Sequence, residues 1–361
     1  MRRVGINLLC FAGPQLAGAG RFFRNLVENL PPLPGTELHL YCQRQFDPSA
    51  HFKIAEGVQW TRVECPQFSN HGSRVLYEQT LLPAYAAGLD VLFSPCVSNP
   101  VVHPRLRTVT TIHDVVPFLV DDKYGAFQQN YVRAITRMLA ASSTRIVTVS
   151  DTSRRDLVTL LGVDDDKIDV VYNVSSKPDG SEVTYEDFFL FVGTLQPAKN
   201  LETTIRSFAY FRRHYDTASH RLVIVGAHGW GGSKYKRLIH ELDLEAVVDI
   251  AGYITDQELS RLYARCKGLI LLSLYEGFGL PPLEALAWKK PSVVSDRSAL
   301  PEVVGTTGIQ VDPMDAVAAA LALAKVAAAP EAYLTGRDKQ LARYSPQTQV
   351  AAFLRAIGID R

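Results

Sequence analysis

Residues 273–287 read Ser-Leu-Tyr-Glu-Gly-Phe-Gly-Leu-Pro-Pro-Leu-Glu-Ala-Leu-Ala. The apolar run just before them predicts a buried strand of a parallel sheet, and the two prolines suit the first turn of a helix. Between strand and helix, Gly277 and Gly279 let the backbone approach a ligand closely. Glu276 follows the strand, and Glu284 is expected in the first helical turn, near the positive end of the dipole. Two carboxylates around a glycine turn predict a site for a ligand with hydroxyl and phosphate groups.

Short apolar runs alternate with helical patterns along the rest of the chain, which is typical of an α/β fold. The helical patterns include residues 74–87 and 330–343. A polar stretch at residues 175–187 has the composition of a linker and separates two such series. We therefore predict two consecutive doubly wound domains, over residues 1–174 and 175–344, with a cleft between them. A final helix is expected within residues 345–361.

Composition limits the possible functions. The chain has 361 residues, which is enough for two domains with their own cores. A formal net charge of +1 provides no global field for nucleic acid. Five cysteines without a Cys-x-x-Cys pair indicate buried thiols in a reducing compartment. No apolar segment approaches the length of a bilayer span, so we expect a cytoplasmic protein whose membrane contact, if any, is peripheral at the inner face.

The motif Glu-Gly-Phe-Gly-Leu-Pro-x-x-Glu-Ala, which starts at Glu276, resembles the signature of the retaining glycosyltransferases of family 4. The resemblance implies the GT-B fold: two Rossmann-like domains facing across a cleft, with the last helix crossing back to the first domain. It also implies that Glu276 binds a hydroxyl of the donor sugar and that Glu284 holds the nucleotide ribose. Gly277, Phe278, Gly279 and Leu280 would complete this wall of the donor site.

A second glycine turn, Gly18-Ala-Gly-Arg, follows the first predicted strand. It lacks the third glycine of a dinucleotide fingerprint, and the end of the second strand offers no acidic residue for a ribose, so a dehydrogenase is not expected. The stretch is similar to the Gly-Gly-x-Gly-Arg-Tyr loop of family 4, with Ala17 in place of the first glycine. The resemblance implies that Gly18 and Gly20 close over the donor diphosphate and help to form the acceptor site.

His113 lies in Thr110-Thr-Ile-His-Asp-Val-Val-Pro, at the carboxyl end of a predicted strand. A histidine there is either a satisfied structural residue or part of a site. It matches the His-Asp-x-x-Pro motif of family 4, which implies a place beside the donor sugar. Its role would be positioning and polarisation more than proton abstraction.

The second domain opens with Phe191-Val-Gly-Thr-Leu-Gln-Pro-Ala-Lys-Asn-Leu. Lys199 supplies a point charge suited to a diphosphate, and the resemblance adds Gly193 and Thr194 to the donor site. Family 4 commonly has basic residues where this chain has Thr194 and Ala198. Lys199 is thus the only cation in this loop, and Arg297 is one candidate to compensate, although a surface role is the alternative.

Two further strand ends carry weaker signals. Gly252-Tyr-Ile ends a strand where family 4 packs the nucleotide base, which implies that Tyr253 and Ile254 contact the base. The turn at residues 225–230, Val-Gly-Ala-His-Gly-Trp, is either a tight loop or a ligand contact.

The resemblance implies a retaining transfer from a nucleotide diphosphate sugar, with Glu276, His113 and Lys199 as the catalytic residues. Cations and backbone amides would stabilise the charge that grows on the departing diphosphate. No Asp-x-Asp motif lies at a plausible position, so we expect no metal ion and no cofactor.

The stretch Arg74-Val-Leu-Tyr-Glu-Gln, followed by Leu82-Pro, looks most like bacterial enzymes of O-antigen and exopolysaccharide synthesis, many of which use GDP-mannose. This favours a mannose-like hexose and a glycan or lipid-linked saccharide acceptor. Two alternatives remain. One is a non-catalytic nucleotide-sugar-binding partner subunit, which the missing basic residues suggest, and the other is a GT-B nucleotide-sugar epimerase.

Overall fold

The computed structural model describes residues 1–11, 18–103, 105–120, 126–175, 180, 182–227 and 232–359. The chain divides into two compact units. Unit 1 contains Met1–Val174 and Ser345–Arg361, and unit 2 contains Ser175–Tyr344. Each unit is a parallel α/β structure and is described by itself.

Unit 1 is built on a seven-stranded parallel sheet with the order β3-β2-β1-β4-β5-β6-β7. Its elements in chain order are β1 (Arg2–Asn7), α1 (Gly18–Glu28), β2 (Thr36–Gln43), β3 (Gln59–Cys65), α2 (His71–Thr80), α3 (Leu82–Tyr85), β4 (Val91–Ser94), β5 (Thr108–Thr111), α4 (Val116–Leu119), α5 (Ala126–Ser142), β6 (Arg145–Thr148), α6 (Asp151–Leu161) and β7 (Ile168–Val170). The strand order reverses between β1 and β4, which pair in parallel. In open α/β sheets, ligands bind in the crevice at such a switch point.

Unit 2 is a six-stranded parallel sheet with the order β10-β9-β8-β11-β12-β13. Its elements are β8 (Phe188–Val192), α7 (Leu201–His214), β9 (Arg221–Val225), α8 (Gly232–Glu241), β10 (Val248–Gly252), α9 (Asp256–Arg265), β11 (Gly268–Leu271), α10 (Leu280–Ala287), β12 (Ser292–Ser295), α11 (Leu300–Val304), β13 (Gly308–Val311), α12 (Ala316–Ala328) and α13 (Arg337–Arg343). Here the order reverses between β8 and β11, so the turns after these two strands lie at the switch point.

The central strands β8 and β11 are apolar because a parallel sheet is covered on both faces. Four of the five residues of β8 are buried, and all four residues of β11 are buried. Helix ends follow local capping signals. Asn70 accepts a hydrogen bond from the Ser73 backbone at the start of α2, and Gly162 ends α6 with a φ of 66°.

The last helix, α14 (Pro346–Ala356), returns to unit 1, as expected for the GT-B fold. The Phe353 ring packs edge-on against the Phe93 ring of β4, with 4.9 Å between their centroids. The Arg2 guanidinium donates to the carbonyls of Ile357, at 3.1 Å, and of Gly358. A cation at this helix end is also favourable for the helix dipole.

The predictions from the sequence differ from the observed elements at three places. The sequence did not predict β3, because this edge strand is mostly exposed and has no apolar alternation. The single helix expected over residues 74–87 is divided into α2 and α3, and Pro83 lies in the first turn of α3. The helix expected over residues 330–343 is a 3-10 turn, Pro330–Tyr333, followed by α13, because Gly336 at a φ of 84° interrupts it.

The expectation of buried thiols holds for Cys42, Cys65 and Cys266 but not for Cys10 and Cys96. The latter two lie on the loops after the neighbouring strands β1 and β4, are partly exposed, and have their Sγ atoms 2.7 Å apart. Among the described residues, no helix is long and apolar enough to cross a membrane.

Candidate active site at the switch point of unit 2

Glycines hold the turns after β8, β9 and β10 close together. The Gly193 N–H donates to the Val225 carbonyl at 2.9 Å, and the Gly226 N–H donates to the Gly252 carbonyl at 2.9 Å. A Cβ atom on Gly226 would lie 1.9 Å from the Gly193 carbonyl oxygen. Only glycine fits at this position, so the sequence of these turns reflects the close approach of two backbones.

The Lys199 turn is bound to the segment that follows β11. Lys199 ends a short 3-10 helix, and Asn200 caps it at a φ of 51°. The Asn200 amide donates to the Leu272 carbonyl at 3.0 Å and to the Pro313 carbonyl at 2.7 Å. The Leu274 N–H also donates to the Ala198 carbonyl at 2.8 Å. The lysine is therefore held beside the turn that carries Glu276.

Lys199 and Glu276 form an ion pair. Lys199 Nζ lies 2.5 Å from Glu276 Oε1, and the Ser273 hydroxyl donates to the same oxygen at 2.7 Å. The lysine and glutamate side chains are only 16% and 12% exposed. The sequence predicted both charged residues, but it predicted neither their contact nor the role of Ser273.

The turn from Glu276 to Leu280 is rigidly supported. The Glu276 N–H donates to the Ser298 hydroxyl at 2.9 Å, so this amide does not point to an open site. Gly279 has a φ of 109°, and a Cβ atom there would lie 2.7 Å from Leu300 Cδ2. Phe278 is buried, and its ring packs edge-on against Tyr344, 5.3 Å away. The Phe278 side chain therefore packs inside unit 2, which leaves only its backbone for a ligand.

Glu284 is buried in the second turn of α10, whose first turn consists of the apolar residues 280–283, Leu-Pro-Pro-Leu. The prediction that Glu284 lies in the first helical turn, near the positive end of the dipole, is therefore wrong. The helix starts at Leu280, and Glu284 lies beyond its first four residues. Instead, Glu284 Oε2 accepts a hydrogen bond from the Tyr263 hydroxyl at 2.8 Å. Tyr263 comes from α9 and was not predicted, since nothing in its own sequence context distinguishes it from a core tyrosine.

Thr194 and Ala198, which stand where family 4 commonly has basic residues, lie in different environments. Thr194 is exposed, whereas Ala198 is buried at 5% exposure and contributes to packing. Arg297 is half exposed and its guanidinium lies 2.9 Å from Asp312 Oδ1. Its charge is thus balanced by a neighbouring carboxylate, which supports the surface role left open by the sequence.

The remaining predicted residues of unit 2 lie at the end of β10. Tyr253 is 63% exposed, and Ile254 packs against the core of the unit. The Gly-rich turn at residues 225–230 is described only as far as Ala227, so the rest of that prediction lies outside the described residues.

In unit 1, His113 follows β5 and has a fixed tautomer. Its Nε2 lies 2.8 Å from the Pro95 carbonyl, which can only accept, so Nε2 carries the proton. Burial lowers the pKa of His113, which favours the neutral imidazole. The ring also packs edge-on against Phe22 at 5.3 Å. In this tautomer Nε2–H is donated to Pro95, and Nδ1 is the nitrogen with a free lone pair for an acceptor role.

Gly18 and Gly20 lie in the first turn of α1. Gly18 is exposed, and a Cβ atom there would meet nothing within 4 Å among the described residues. The described structure therefore places no steric requirement for glycine at this position, whereas Gly20 is buried. Ala17 lies outside the described residues.

Two Rossmann-like units, with a lysine and two glutamates at the switch point of the second, define the class of GT-B glycosyltransferases. Residues 16–174 match the family model "Glycosyltransferase Family 4", and residues 176–346 match "Glycosyl transferases group 1". The chain therefore belongs to the family 4 glycosyltransferases, and the resemblance inferred from the Glu276 motif is confirmed.

Two curated relatives are O-antigen mannosyltransferases. The O-antigen chain mannosyltransferase B of Escherichia coli is 29% identical over 227 residues, which are 59% of this chain and 59% of the relative. The O-antigen chain mannosyltransferase RfbU of Salmonella typhimurium is 30% identical over 243 residues, 67% of each chain.

Solved structures share the fold along the whole chain. Sucrose-phosphate synthase from Thermosynechococcus elongatus has a TM-score of 0.76 at 17% identity and covers 98% of each chain. The apo form of the lipopolysaccharide outer core galactosyltransferase WaaB has a TM-score of 0.69 at 16% identity, with 99% of each chain covered. At this identity the likeness establishes the GT-B fold alone.

Proposed function

We propose that this protein transfers a mannose-like hexose from a nucleotide diphosphate sugar to a glycan or lipid-linked acceptor in surface polysaccharide synthesis, with retention of anomeric configuration and without a metal ion. The O-antigen mannosyltransferases among its relatives support the sugar and the pathway class. The observation that carries the proposal is the Ser273–Glu276–Lys199 cluster at the switch point of unit 2.

This cluster provides the two kinds of group that the reaction needs. Lys199 supplies a positive charge for the diphosphate leaving group, and Glu276 accepts hydrogen bonds from sugar hydroxyls. Each group compensates the charge of the other, which lets both side chains stay largely buried. A bound donor would share Lys199 with Glu276, since an ammonium group has three donors.

Glu284 would hold the ribose. The Tyr263 hydroxyl donates to Glu284 Oε2, and a carboxylate has about four lone-pair sites, so it can also accept from ribose hydroxyls. His113, with its proton on Nε2, would act by position and polarity. The departing phosphate would then take the acceptor proton on the same face of the sugar, without an enzyme nucleophile.

Any membrane contact would be peripheral and would follow from a lipid-linked acceptor.

One structural neighbour, the HepE protein of Anabaena, has been solved in complex with UDP-glucose. For this chain the mannosyltransferase relatives favour mannose as the sugar, and the resemblance to O-antigen and exopolysaccharide enzymes favours GDP as the nucleotide.

The test is a thermal-shift and turnover screen with GDP, UDP, dTDP and their sugars, with and without EDTA. A ligand that binds only the folded state raises the melting temperature by mass action. We expect GDP-mannose to give the largest shift, slow nucleotide release that EDTA does not alter, and an α-linked product by NMR. Binding without any nucleotide release in the presence of acceptor sugars would instead indicate a non-catalytic subunit.

A further inference from the structure

Two of the five cysteines face each other at the switch point of unit 1. Cys10 lies three residues beyond the end of β1, and Cys96 lies two residues beyond the end of β4. These strands are parallel neighbours, and the spacing of neighbouring strands is about 4.8 Å. That spacing lies within the range of about 4.4–6.8 Å between Cα atoms that a disulfide can span. The strand order therefore brings together two thiols that are 86 positions apart in the chain.

Backbone hydrogen bonds fix both loops in the positions that bring the sulfur atoms together. The Leu9 carbonyl, next to Cys10, accepts from the Gln43 amide at 2.9 Å. The Cys96 carbonyl accepts from the Ser98 N–H at 2.8 Å. With the backbone held on both sides, Cys10 Sγ lies 2.7 Å from Cys96 Sγ, which is about 0.7 Å longer than a disulfide bond. A bond between the two sulfurs therefore needs only a small movement of the side chains.

The surroundings of Cys10 keep its thiol protonated. Cys10 Sγ donates its hydrogen to Cys96 Sγ. Burial, and after it this contact with Cys96, holds the pKa of Cys10 well above its usual range, while the Arg74 guanidinium opposes the rise. In disulfide exchange the nucleophile is a thiolate. Because Cys10 keeps its proton, Cys96 is the sulfur of the pair that is left to attack first.

The other three cysteines, Cys42, Cys65 and Cys266, are buried, whereas Cys10 and Cys96 are partly exposed. Burial raises the pKa of Cys42 and that of Cys266 to about 12, so both thiols stay protonated.

Cys42 and Cys65 lie on the neighbouring strands β2 and β3, but Cys42 is in register with Glu64, the residue before Cys65. Since successive side chains of a strand point to opposite faces, these two thiols lie on different faces of the sheet. A place on adjacent strands is thus not enough for a bond, and the Cys10–Cys96 pair differs from these thiols in both contact and exposure.

We propose that Cys10 and Cys96 form a redox modification site, at which a low-molecular-weight disulfide of the glutathione class creates a reversible bond between the loops after β1 and β4. The Cys96 thiolate attacks one sulfur of the small disulfide and expels the other as a thiolate, which leaves a mixed disulfide on Cys96. The Cys10 thiol then loses its proton and attacks the Cys96 sulfur, which expels the second small thiolate. Both protein thiols are oxidised, and the small disulfide is reduced to two thiols that take up the two protons. The site is independent of the sugar chemistry proposed above.

The test measures the Cys10–Cys96 bond in the complete chain at a series of ratios of oxidised to reduced glutathione. Remaining thiols are blocked with N-ethylmaleimide, and linked peptides are identified by mass spectrometry without reduction. We expect a peptide that joins Cys10 to Cys96 and that dithiothreitol cleaves. Half-conversion of the folded protein should need at least about tenfold less oxidised glutathione than half-conversion of the chain unfolded in urea, because the fold holds the two sulfurs together.

The proposal is overturned if the folded protein forms no such peptide, or if the folded and the unfolded chain need the same ratio. This comparison uses the wild type alone, so it decides the proposal even where a cysteine variant does not fold.

Single serine variants test the order of the two steps. Cys10→Ser leaves the attacking thiol without its partner, so this variant should keep glutathione on Cys96. Cys96→Ser leaves only the protonated Cys10 and should take up glutathione at least about tenfold more slowly. The matched control is Cys42→Ala, which removes a buried thiol from β2, the other neighbour of β1, and should form the Cys10–Cys96 bond as the wild type does. Equal rates for C10S and C96S would refute Cys96 as the attacking thiol.

Discussion

Lys199 Nζ and Glu276 Oε1 are 2.5 Å apart in unit 2, although the two residues are 77 positions apart in the chain. They meet because β8 and β11 are neighbours at the point where the strand order reverses. The pair therefore places a cation and a hydroxyl acceptor at one strand edge, where open α/β sheets bind ligands.

Replacement of either partner by alanine should abolish transfer. Lys199→Ala removes the charge that stabilises the departing diphosphate, and Glu276→Ala removes a contact to the donor sugar. Loss of one such preorganised group typically lowers kcat by about 10²–10³. The measurement is product formation from the donor and acceptor identified by the screen, together with a melting curve of each variant.

The matched control for these variants is Lys234→Ala. Lys234 is an exposed lysine of the same unit, paired with Glu202 Oε2 at 2.8 Å, and its loss should leave transfer unchanged. Each site variant should melt cooperatively but at a lower temperature, because the remaining partner is a buried charge without compensation. Near-normal transfer by K199A or E276A would refute the assignment of this site.

The sequence predicted the sheets well because parallel strands are buried on both faces and appear as continuous apolar runs, as in Phe188–Val192. It also predicted Glu276 and Glu284, since both belong to one short motif. It could not predict that Lys199 contacts Glu276 or that Tyr263 contacts Glu284, because such contacts depend on the order of the strands and on helix packing. The edge strand β3 escaped prediction for a related reason, since it is mostly exposed and lacks an apolar pattern.

Tyr263→Phe should weaken nucleotide binding without unfolding the protein. The change removes only the hydroxyl that donates to Glu284 Oε2 at 2.8 Å. Without this bond, Glu284 can turn away from the ribose, and a hydrogen bond to a charged group is worth about 1.5–3 kcal/mol. We expect the dissociation constant for the nucleotide to rise by roughly tenfold or more, as measured by calorimetry.

Tyr215→Phe is the control for this effect, because Tyr215 is 41% exposed and lies at the end of α7. If Y263F binds nucleotide as tightly as Y215F, then the Tyr263 hydroxyl does not position Glu284 for a ligand.

Gly226→Ala should destabilise unit 2, whereas Gly18→Ala should not affect stability. The new Cβ at position 226 would lie 1.9 Å from the Gly193 carbonyl oxygen, and the backbone must move to avoid it. Overpacking of this kind costs about 1–3 kcal/mol. At position 18 the new Cβ meets no described atom within 4 Å. Urea unfolding of both variants measures this difference.

Sugar-transfer activity is the second measurement that distinguishes Gly18 from Gly226. If Gly18 approaches the donor diphosphate as the resemblance implies, G18A should lose transfer while it keeps wild-type stability. Wild-type transfer by G18A would show that this glycine is only a helix start. If G226A is as stable as the wild type, the added Cβ atom does not clash with the Gly193 carbonyl oxygen. The turns after β8 and β9 would then be further apart than the 1.9 Å between these two atoms implies.

Lys290 should make the stability of unit 2 depend on pH in the alkaline range. The side chain is fully buried, donates from Nζ to the Thr184 carbonyl, and lies over the Tyr185 ring at 3.9 Å. Burial lowers the pKa of Lys290 to about 8, from its ordinary value of 10.5. Between these two values Lys290 binds fewer protons in the folded protein than in the unfolded chain, so its contribution makes the free energy of unfolding rise with pH.

Below pH 8 Lys290 is charged in both states, and its burial is a constant cost to the folded state. Lys290→Met removes this titration but keeps a similar apolar stem. The wild type should therefore gain stability relative to K290M as the pH rises from 8 to 10, by on the order of 1 kcal/mol per pH unit. Burial raises the pKa of the neighbouring Cys266 to about 12, so this thiol stays neutral in the folded protein over the same interval. Its ionisation in the unfolded chain is common to the wild type and K290M, and the comparison between them removes it. Urea unfolding at several pH values, with the exposed Lys339→Met as a control, measures the difference, and parallel pH profiles for wild type and K290M would contradict the prediction.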